Sequence, residues 1–421
     1  MLTAIVGTNW GDEGKGRMVD LLSARYDIVA RYQGGNNAGH TVVNEKGKFI
    51  LNLLPSGILR ETTVNIMGNG MVIDIEHLVN ESGKLREQGI KITPDNLKIS
   101  DKAIICLPYH RLMDIMEEDR LADKKFGSTR RGIAPVYADK YMKKALRMED
   151  LLDMDSLYEK VKDIVEWKNI TVKGYGHEPV DADEIMDWLK KYGSEVAPYI
   201  TDVSEYLYQA AAEGRNIMFE AQLGALRDID FGIYPYTSSS TTLASFAPIG
   251  AGVPGLTLTG TLGIMKAYST CVGEGPFTVE MSGDEAEALR KAGGEYGAAT
   301  GRPRRVGAFD IPASKYGVRV QGATEIALTK LDVLSYMDKI PVCTAYEIDG
   351  IKTTAFPTGQ RLLRAKPVIE YLPGFGDVSK CRTYEELPQA AKDYIAYIEK
   401  AVACKITYVS VGAGRDEYIK L

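Results

Sequence analysis

Residues 2–24 read LTAIVGTNWGDEGKGRMVDLLSA, and this run decides the fold. Leu2–Val6 is an apolar stretch of strand length. Gly7, Gly11, Gly14 and Gly16 break it, and Arg17–Ala24 returns to a helical pattern. Strand, glycine-rich turn and helix form the opening unit of an α/β sheet with parallel strands. Apolar runs at Ile28–Ala30, Phe49–Leu53 and Val64–Met67 are expected to add strands. Between them lies a second loop, GGNNAGHTVV, at 34–43. The expectation is a large, mostly parallel central sheet flanked by helices.

Working outward, residues 109–123 read as a helix and 138–213 as mostly helical. Thr201 and Asp202 offer caps, Gly214 a stop, and Asn216–Glu220 a strand. A helix from about Asp284 to Ala292 has Ser282 and Glu285 at capping-box spacing and Gly293-Gly294 at its end. Residues 338–356 read as an antiparallel hairpin turning at Asp349-Gly350. Helix 388–402, strand 406–410 and the glycines Gly412 and Gly414 follow. The expected layout is one α/β domain over 1–421 with a mostly helical insertion at about 109–213.

The chain has 421 residues, 45% hydrophobic and 26% charged, which excludes wholesale disorder. Its net charge of −6 argues against a nucleic-acid partner, while leaving room for local anion sites. Cys106, Cys271, Cys343, Cys381 and Cys404 form no CxxC pair, which predicts a reducing, cytoplasmic setting without disulfides or structural zinc. The opening residues lack the apolar core of a signal peptide. Phe231–Met265 is uncharged, but Pro235, Pro248 and Pro254 break it, so no membrane association is expected.

Five segments can carry chemistry. In Gly11-Asp12-Glu13-Gly14-Lys15-Gly16, a glycine-rich turn before a helix suits phosphate, and Lys15 adds charge. It is not a Walker A loop, because Gly16 stands where Ser or Thr would bind magnesium. Asp12 would repel phosphate, so it calls for a magnesium bridge, a proton to abstract, or simply a helix to cap. His40, one of four histidines, sits among small polar residues and is either catalytic or a surface side chain. Arg302, Arg304 and Arg305 flank Pro303 as an anion site or a salt-bridge cluster. Thr329-Lys330-Leu331-Asp332 has the form of a guanine reader. Its carboxylate would accept from the ring N–H and exocyclic amine; an exposed strand end is the plainer reading. Ser410-Val411-Gly412-Ala413-Gly414-Arg415 offers a further base or phosphate contact.

Taken together, GDEGKG, GGNNAGHTVV, DIDFGIYPYTSSS, VGEGPF, TGRPRR, TKLDVL and SVGAGR occur in an order that resembles the adenylosuccinate synthetase family from Ile5 to Arg415. The resemblance implies a fold like that of P-loop NTPases, a homodimer, and a magnesium-dependent reaction. In that reaction IMP, L-aspartate and GTP give adenylosuccinate, GDP and phosphate. It implies that Asp12 is the base and, with the Gly39 carbonyl, a magnesium ligand, and that His40 acts on oxygen during phosphoryl transfer. Nucleotide contacts would come from Gly11–Arg17, Gly39–Thr41, Arg304, Lys330, Leu331, Asp332, Ser410, Val411 and Gly412. Substrate contacts would come from Asp12–Lys15, Asn37, Ala38, Gly39, His40, Thr129, Gln222, Ser238, and the loop Ala298, Ala299, Thr300, Gly301, Arg302, Pro303 and Arg304. Lys143 would reach the IMP phosphate of the neighbouring subunit.

The chain departs from the family pattern in places. The usual E-G-A-Q-G is Glu220-Ala221-Gln222-Leu223-Gly224, which moves the glutamine one residue early. Thr237-Ser238 replaces Val-Thr, Ala299 replaces Thr, Lys143 replaces Arg, and Cys271 stands where Arg is frequent. Two other readings are a non-enzymatic guanine-nucleotide binder and a ligase for another purine nucleotide. Retention of both Asp12 and His40 argues against the first. The second could dispense with a carboxylate at position 12.

Overall fold

The computed structural model describes residues 1–44, 46–124, 126–297 and 303–421. Among them ten strands form the central sheet: β1 (Leu2–Gly7), β2 (Ile28–Arg31), β3 (Val64–Met67), β4 (Leu97–Ser100), β5 (Ile200–Thr201), β6 (Ile217–Glu220), β7 (Gly260–Lys266), β8 (Glu325–Thr329), β9 (Ile406–Ser410) and β10 (Tyr418–Lys420). Their order in space is β10-β9-β8-β7-β1-β6-β2-β3-β4-β5. Neighbours are parallel except β9 and β10. β2 and β6 are buried at every residue, as expected for strands covered on both faces.

This topology places the site. The strand order turns back at β1, whose neighbours are β7 and β6. In open α/β sheets, ligands bind beyond the carboxyl ends of strands near such a point. The GDEGKG turn follows β1, the GGNNAG loop follows β2, Ala221–Gly224 follows β6, Lys330–Asp332 follows β8 and Val411–Gly414 follows β9. Five loops drawn from positions 11 to 414 therefore leave the same end of the strands.

Helix α1 (Lys15–Leu22) begins after Gly14, whose φ of +98° suits glycine. Its Met18, Val19 and Leu22 pack with Ile5, Val29, Met218, Leu262 and Ile264. A 3₁₀ turn, Ser23–Arg25, continues it. The central-sheet expectation fails for Phe49–Leu53. That run contributes Gly47–Leu51, which pairs antiparallel with His40–Asn44 outside the central sheet. His40 thus opens a strand instead of lying within a loop. The signal is the alternation in His40–Asn44, where His40 and Val42 are buried while Thr41 and Val43 face outward.

Residues 109–213 hold helices Pro108–Leu121, Ile133–Met142, Met154–Gly174, Ala182–Val196 and Val203–Ala212, but also β5 at the sheet edge. Val161, Ile164, Ile185 and Leu189 share one core with Met67, Leu97 and Ile99 of β3 and β4. Asp202 caps Val203–Ala212 by accepting from the Glu205 N–H. Ser282 precedes helix Gly283–Gly293 without a side-chain capping bond, so the expected capping box does not form there. The hairpin at Asp349-Gly350 forms with φ of +53° and +79°. It belongs to a larger sheet, in which Lys339–Ile348 also pairs with Phe309–Asp310 and Lys366–Pro373.

Gly317, in helix Ile311–Gln321, sets how closely that helix meets β1. An added Cβ would lie 1.7 Å from the Thr8 carbonyl oxygen. Gly83, within helix Ile75–Glu87, has nothing within 4 Å of the same position. Gly317→Ala is expected to destabilise the protein by about 1–3 kcal/mol through overpacking. Gly83→Ala is expected to stabilise it by about 0.5–1 kcal/mol through helix propensity. Urea midpoints of the two variants should move in opposite directions from wild type.

Candidate active site

The glycine-rich turn is organised by its own carboxylate. Glu13 Oε1 accepts from the backbone N–H groups of Asn9 and Gly11 at 3.1 and 2.8 Å, and Lys15 Nζ donates to Oε2 at 2.7 Å. Glu13 and Lys15 are both buried. Lys15 is therefore already paired and is not the free cation that the sequence suggested. The first-turn N–H groups of α1 receive no side-chain cap and face the turn as anion donors.

Asp12 does not cap the helix. It adopts φ +58° and keeps a third of its side chain exposed. Its Oδ2 accepts from Arg304 Nη2 at 3.0 Å. Arg304 Nη1 donates to Glu295 Oε2 at 2.8 Å. Glu295 is fully buried, and its Oε1 also accepts from Lys266 at 2.9 Å, Lys330 at 2.7 Å and the Tyr268 hydroxyl at 2.5 Å. Burial alone would raise the carboxyl pKa of Glu295, but these three cations hold it well below the ordinary value. Burial in turn pulls Lys266 down to about 8 against the opposing pull of Glu295.

His40 presents a similar arrangement. Its Nδ1 lies 2.7 Å from Glu220 Oε1 at the end of β6. Glu220 also accepts from the Ser56 hydroxyl at 2.6 Å and the Ser56 N–H at 2.7 Å. With Nδ1–H given to Glu220, the ring turns Nε2 to other work. His40 packs on Gly16, where an added Cβ would come 2.7 Å from the His40 Cβ. That close approach joins the second loop to α1.

The β8 and β9 loops are tied to the first. The Thr329 hydroxyl donates to the Glu13 carbonyl at 2.7 Å, and the Lys330 N–H donates to Ser410 Oγ at 3.2 Å. Arg17 Nη1 donates to Ser410 Oγ at 2.8 Å and to the Gly412 carbonyl; its Nη2 donates to the carbonyls of Gly414 and Glu417 at 2.5 and 3.0 Å. Arg17 thus pins the last loop. Leu331 and Val411 are fully buried, backbone included. Asp332 Oδ1 is buried without a partner among the described residues, and burial pushes its carboxyl pKa up.

Other expected contacts fall in several settings. Gly39 and Thr41 are exposed, Ala38 is buried and Asn37 half-buried beside them. Gln222 is completely buried, with both ends of its amide bonded to protein, contrary to the open position expected of a substrate contact. Ser238 is half-buried and its hydroxyl lies 3.3 Å from that of Ser240. Thr129 and Pro303 are exposed. Lys143 is exposed at the left-handed C-cap of helix Ile133–Met142, beside exposed Tyr141 and Met142. That helix is anchored through Asp139, which lies 3.0 Å from His110 Nε2 and accepts from Lys168 at 2.6 Å. Ala298, Ala299, Thr300, Gly301 and Arg302 lie outside the described residues.

Two carboxylates that shape the site were not singled out from sequence: Glu220 and Glu295. Glu220 carried a readable signal, since it is the single charge ending an apolar strand and a buried charge needs partners. Glu295 lies after a Gly-Gly helix stop and had no such signal.

Comparison with known proteins places this geometry. Residues 4–419 match the family model described as adenylosuccinate synthetase. The adenylosuccinate synthetase of Halothermothrix orenii is 46% identical over 419 residues, covering 99% of this chain and 97% of that one. That of Clostridium novyi is 43% identical over 417 residues, covering 99% and 98%. The fully ligated adenylosuccinate synthetase structure from Plasmodium falciparum superposes with a TM-score of 0.93 at 33% identity, covering 100% of this chain and 99% of that one. A cyanophage S-2L succinoaminodeoxyadenylate synthetase, bound to dGMP and dATP as an energy donor, gives a TM-score of 0.62 at 18% identity over 100% and 95% of the chains. That last likeness concerns the fold alone.

The Glu220 cluster has a pH signature. Burial alone would raise its carboxyl, but bonds from His40 and Ser56 and the charge of Arg31 hold it below the ordinary 4.5. A depressed folded-state value contributes stability above the unfolded pKa and loses it as pH falls through the folded one. Glu220→Gln is therefore expected to cost about 1–3 kcal/mol at neutral pH. In urea unfolding the gap from wild type should narrow steadily as pH drops below 4.5.

Proposed function

The chain belongs to the adenylosuccinate synthetase family, ligases that join IMP and aspartate at the expense of GTP in purine biosynthesis, and we propose the following division of labour among its residues. The 6-oxygen of hypoxanthine is a poor leaving group. Asp12 takes the proton from the neighbouring ring nitrogen as that oxygen attacks the γ-phosphate of GTP. The P–O bond to GDP breaks, leaving a phosphorylated IMP. The amine of L-aspartate then adds at the same ring carbon and gives up one proton, and phosphate departs carrying the oxygen and that proton. His40 donates from Nε2 to the oxygen that gains charge, with Glu220 steadying the imidazolium from behind. The observation that carries the reading is this pair of acid–base groups at the carboxyl ends of the strands: a partly exposed Asp12 paired, among the described residues, with Arg304, and a His40 oriented by a buried carboxylate.

Asp332 supports guanine recognition, because its buried, unpartnered oxygen is an acceptor in want of donors. Adenine would face it with a lone pair. Magnesium fits the donor set: the Asp12 carboxylate and the exposed Gly39 carbonyl are hard oxygen donors, of the kind that hold this ion with the help of phosphates and water. When bound, the ion supplies positive charge on the transferring phosphoryl oxygens. The start of α1 faces the nucleotide phosphates, with Lys15, paired to Glu13, in its first turn. Asn37, Ala38, Thr129 and Ser238 line the IMP side, and the segment from Ala298 to Arg304 receives the aspartate carboxylates. The chain works as one domain, since its central sheet draws strands from both ends and the helical segment shares their core. It is a cytoplasmic homodimer in this reading; no helix among the described residues is long and apolar enough to cross a membrane.

Steady-state assays omitting IMP, aspartate or GTP in turn test the activity, with ATP offered in place of GTP. Asp12→Asn is expected to abolish phosphate release while the fold survives. His40→Asn should remove most of kcat with modest change in KM. A variant at either position with near wild-type kcat would sink the assignment.

Lys143 is proposed to hold the IMP phosphate of the neighbouring subunit as a point charge in place of an arginine fork. Its exposure at a helix end, next to two exposed apolar residues, supports this. Mixing inactive Asp12→Asn with inactive Lys143→Leu under subunit exchange should then restore activity, up to about half of the sites in each heterodimer. Heterodimers that form but stay inactive would refute the shared site.

A further inference from the structure

Arg31 closes β2 with its guanidinium fully buried. One arm, Nη2, donates to Gln222 Oε1 at 2.5 Å, and the other, Nη1, donates to the Asn52 carbonyl at 2.6 Å. Each arm is then extended by one amide side chain. Gln222 Nε2 donates to Asn37 Oδ1 at 3.1 Å, and Asn52 Nδ2 donates to the Ala38 carbonyl at 2.6 Å. The two arms thus grip adjacent residues of the second loop, immediately before Gly39 and His40. Asn37 Oδ1 also accepts from the Gly35 N–H at 3.2 Å, which folds the loop onto itself.

The space around Gln222 is shaped for this use. An added Cβ on Gly34 would fall 1.1 Å from Gln222 Nε2, so the amide lies where any other residue at 34 would put its side chain. The next residue, Leu223, takes φ +62° and turns the chain toward the first loop, where its carbonyl oxygen lies 2.5 Å from a Cβ placed on Gly7. Gln222 has no exposed surface, and its amide oxygen and nitrogen are both engaged. Arg31 Nε is buried without a partner among the described residues, so the guanidinium is held through its two terminal nitrogens, one to each arm.

From this geometry we infer that Gln222, oriented by Arg31, is a positioning residue: it fixes Asn37 from behind and does not itself touch substrate. The glutamine that sits one place early is thereby turned inward, and its contribution to IMP binding passes through the loop. The inference rests on the proposal above that Asn37 contacts IMP.

A double-mutant cycle separates the two ideas. Gln222→Met keeps the volume and removes both hydrogen bonds; Asn37→Ala removes the side chain through which it acts. Each single variant is expected to raise the KM for IMP about tenfold, the worth of one well-placed hydrogen bond, and to leave the KM for GTP unchanged. The double variant should be no worse than Asn37→Ala alone. Multiplied effects, about a hundredfold, would show that Gln222 makes its own contact and would overturn the inference. An unchanged IMP KM in Gln222→Met would overturn it as well. An unchanged IMP KM in Asn37→Ala would instead remove the underlying reading of Asn37. If Gln222→Met fails to fold, Gln222→Glu serves in its place, since it keeps an acceptor for Arg31 and deletes only the donor to Asn37; the same KM pattern is expected and the same outcomes decide.

Discussion

The carboxylate of Glu13 is wedged between two stretches of backbone. A Cβ on Gly7 would meet its Oε2 at 2.4 Å, and one on Gly224 would meet its Oε1 at 2.6 Å. Two amide N–H groups and the ammonium of Lys15 complete its surroundings. A buried charge is tolerated only with such partners, and removing any of them would leave the others uncompensated. The consequence is a rigid first loop. Glu13 fixes the end of β1, the course of the first turn and the chain after β6 relative to one another. Asp12 next to it and His40 on Gly16 inherit their places from that lock.

The same construction recurs twice at this end of the strands. Glu220 gathers His40 and Ser56, and Glu295 gathers Lys266, Lys330 and Arg304. In each case a carboxylate is buried at the root of a loop and holds the cations or donors packed against it, of which Arg304 and Lys330 keep partial exposure. A site that binds several anions and moves negative charge between them needs many cations in little space. Internal carboxylates keep those cations from repelling one another and aim them before any ligand arrives. The Glu295 cluster also joins two loops, because one side chain touches both Lys330 and, through Arg304, Asp12.

The strand–turn–helix opening, the helices at 203–212 and 389–402 and the strand at 406–410 could be read from the sequence because their signals are local: an apolar run, a glycine at a forced φ, a capping Asp at 202. The second loop was readable only in part. His40 was noticed for its rarity, but its strand, its partner across 180 residues and its contact with Gly16 depend on tertiary placement. Lys15 shows the converse error. Its charge was plain and its pairing was not, since the competing anion lay two residues away in the same turn. Gln222 shows how far a register argument reaches: a shift by one residue was visible, while the buried amide that results was set by Arg31 and by the missing side chain at Gly34. The packing of β5 onto the sheet edge was hidden because a two-residue strand carries no periodicity.

Arg17 binds the first tenth of the chain to the last. Its donors end on the side chain of Ser410 and the carbonyls of residues 412, 414 and 417, nearly 400 positions away, and Arg415 reaches back to Asp20 at 2.8 Å. Contacts of such separation are the slowest to form, because the intervening chain must first be ordered. During synthesis the glycine-rich turn is made at the start and waits for residues near 410–417 to emerge before its neighbours are complete. Throughout translation the growing chain therefore carries an unfinished loop cluster, and its completion arrives as one of the final events in assembly.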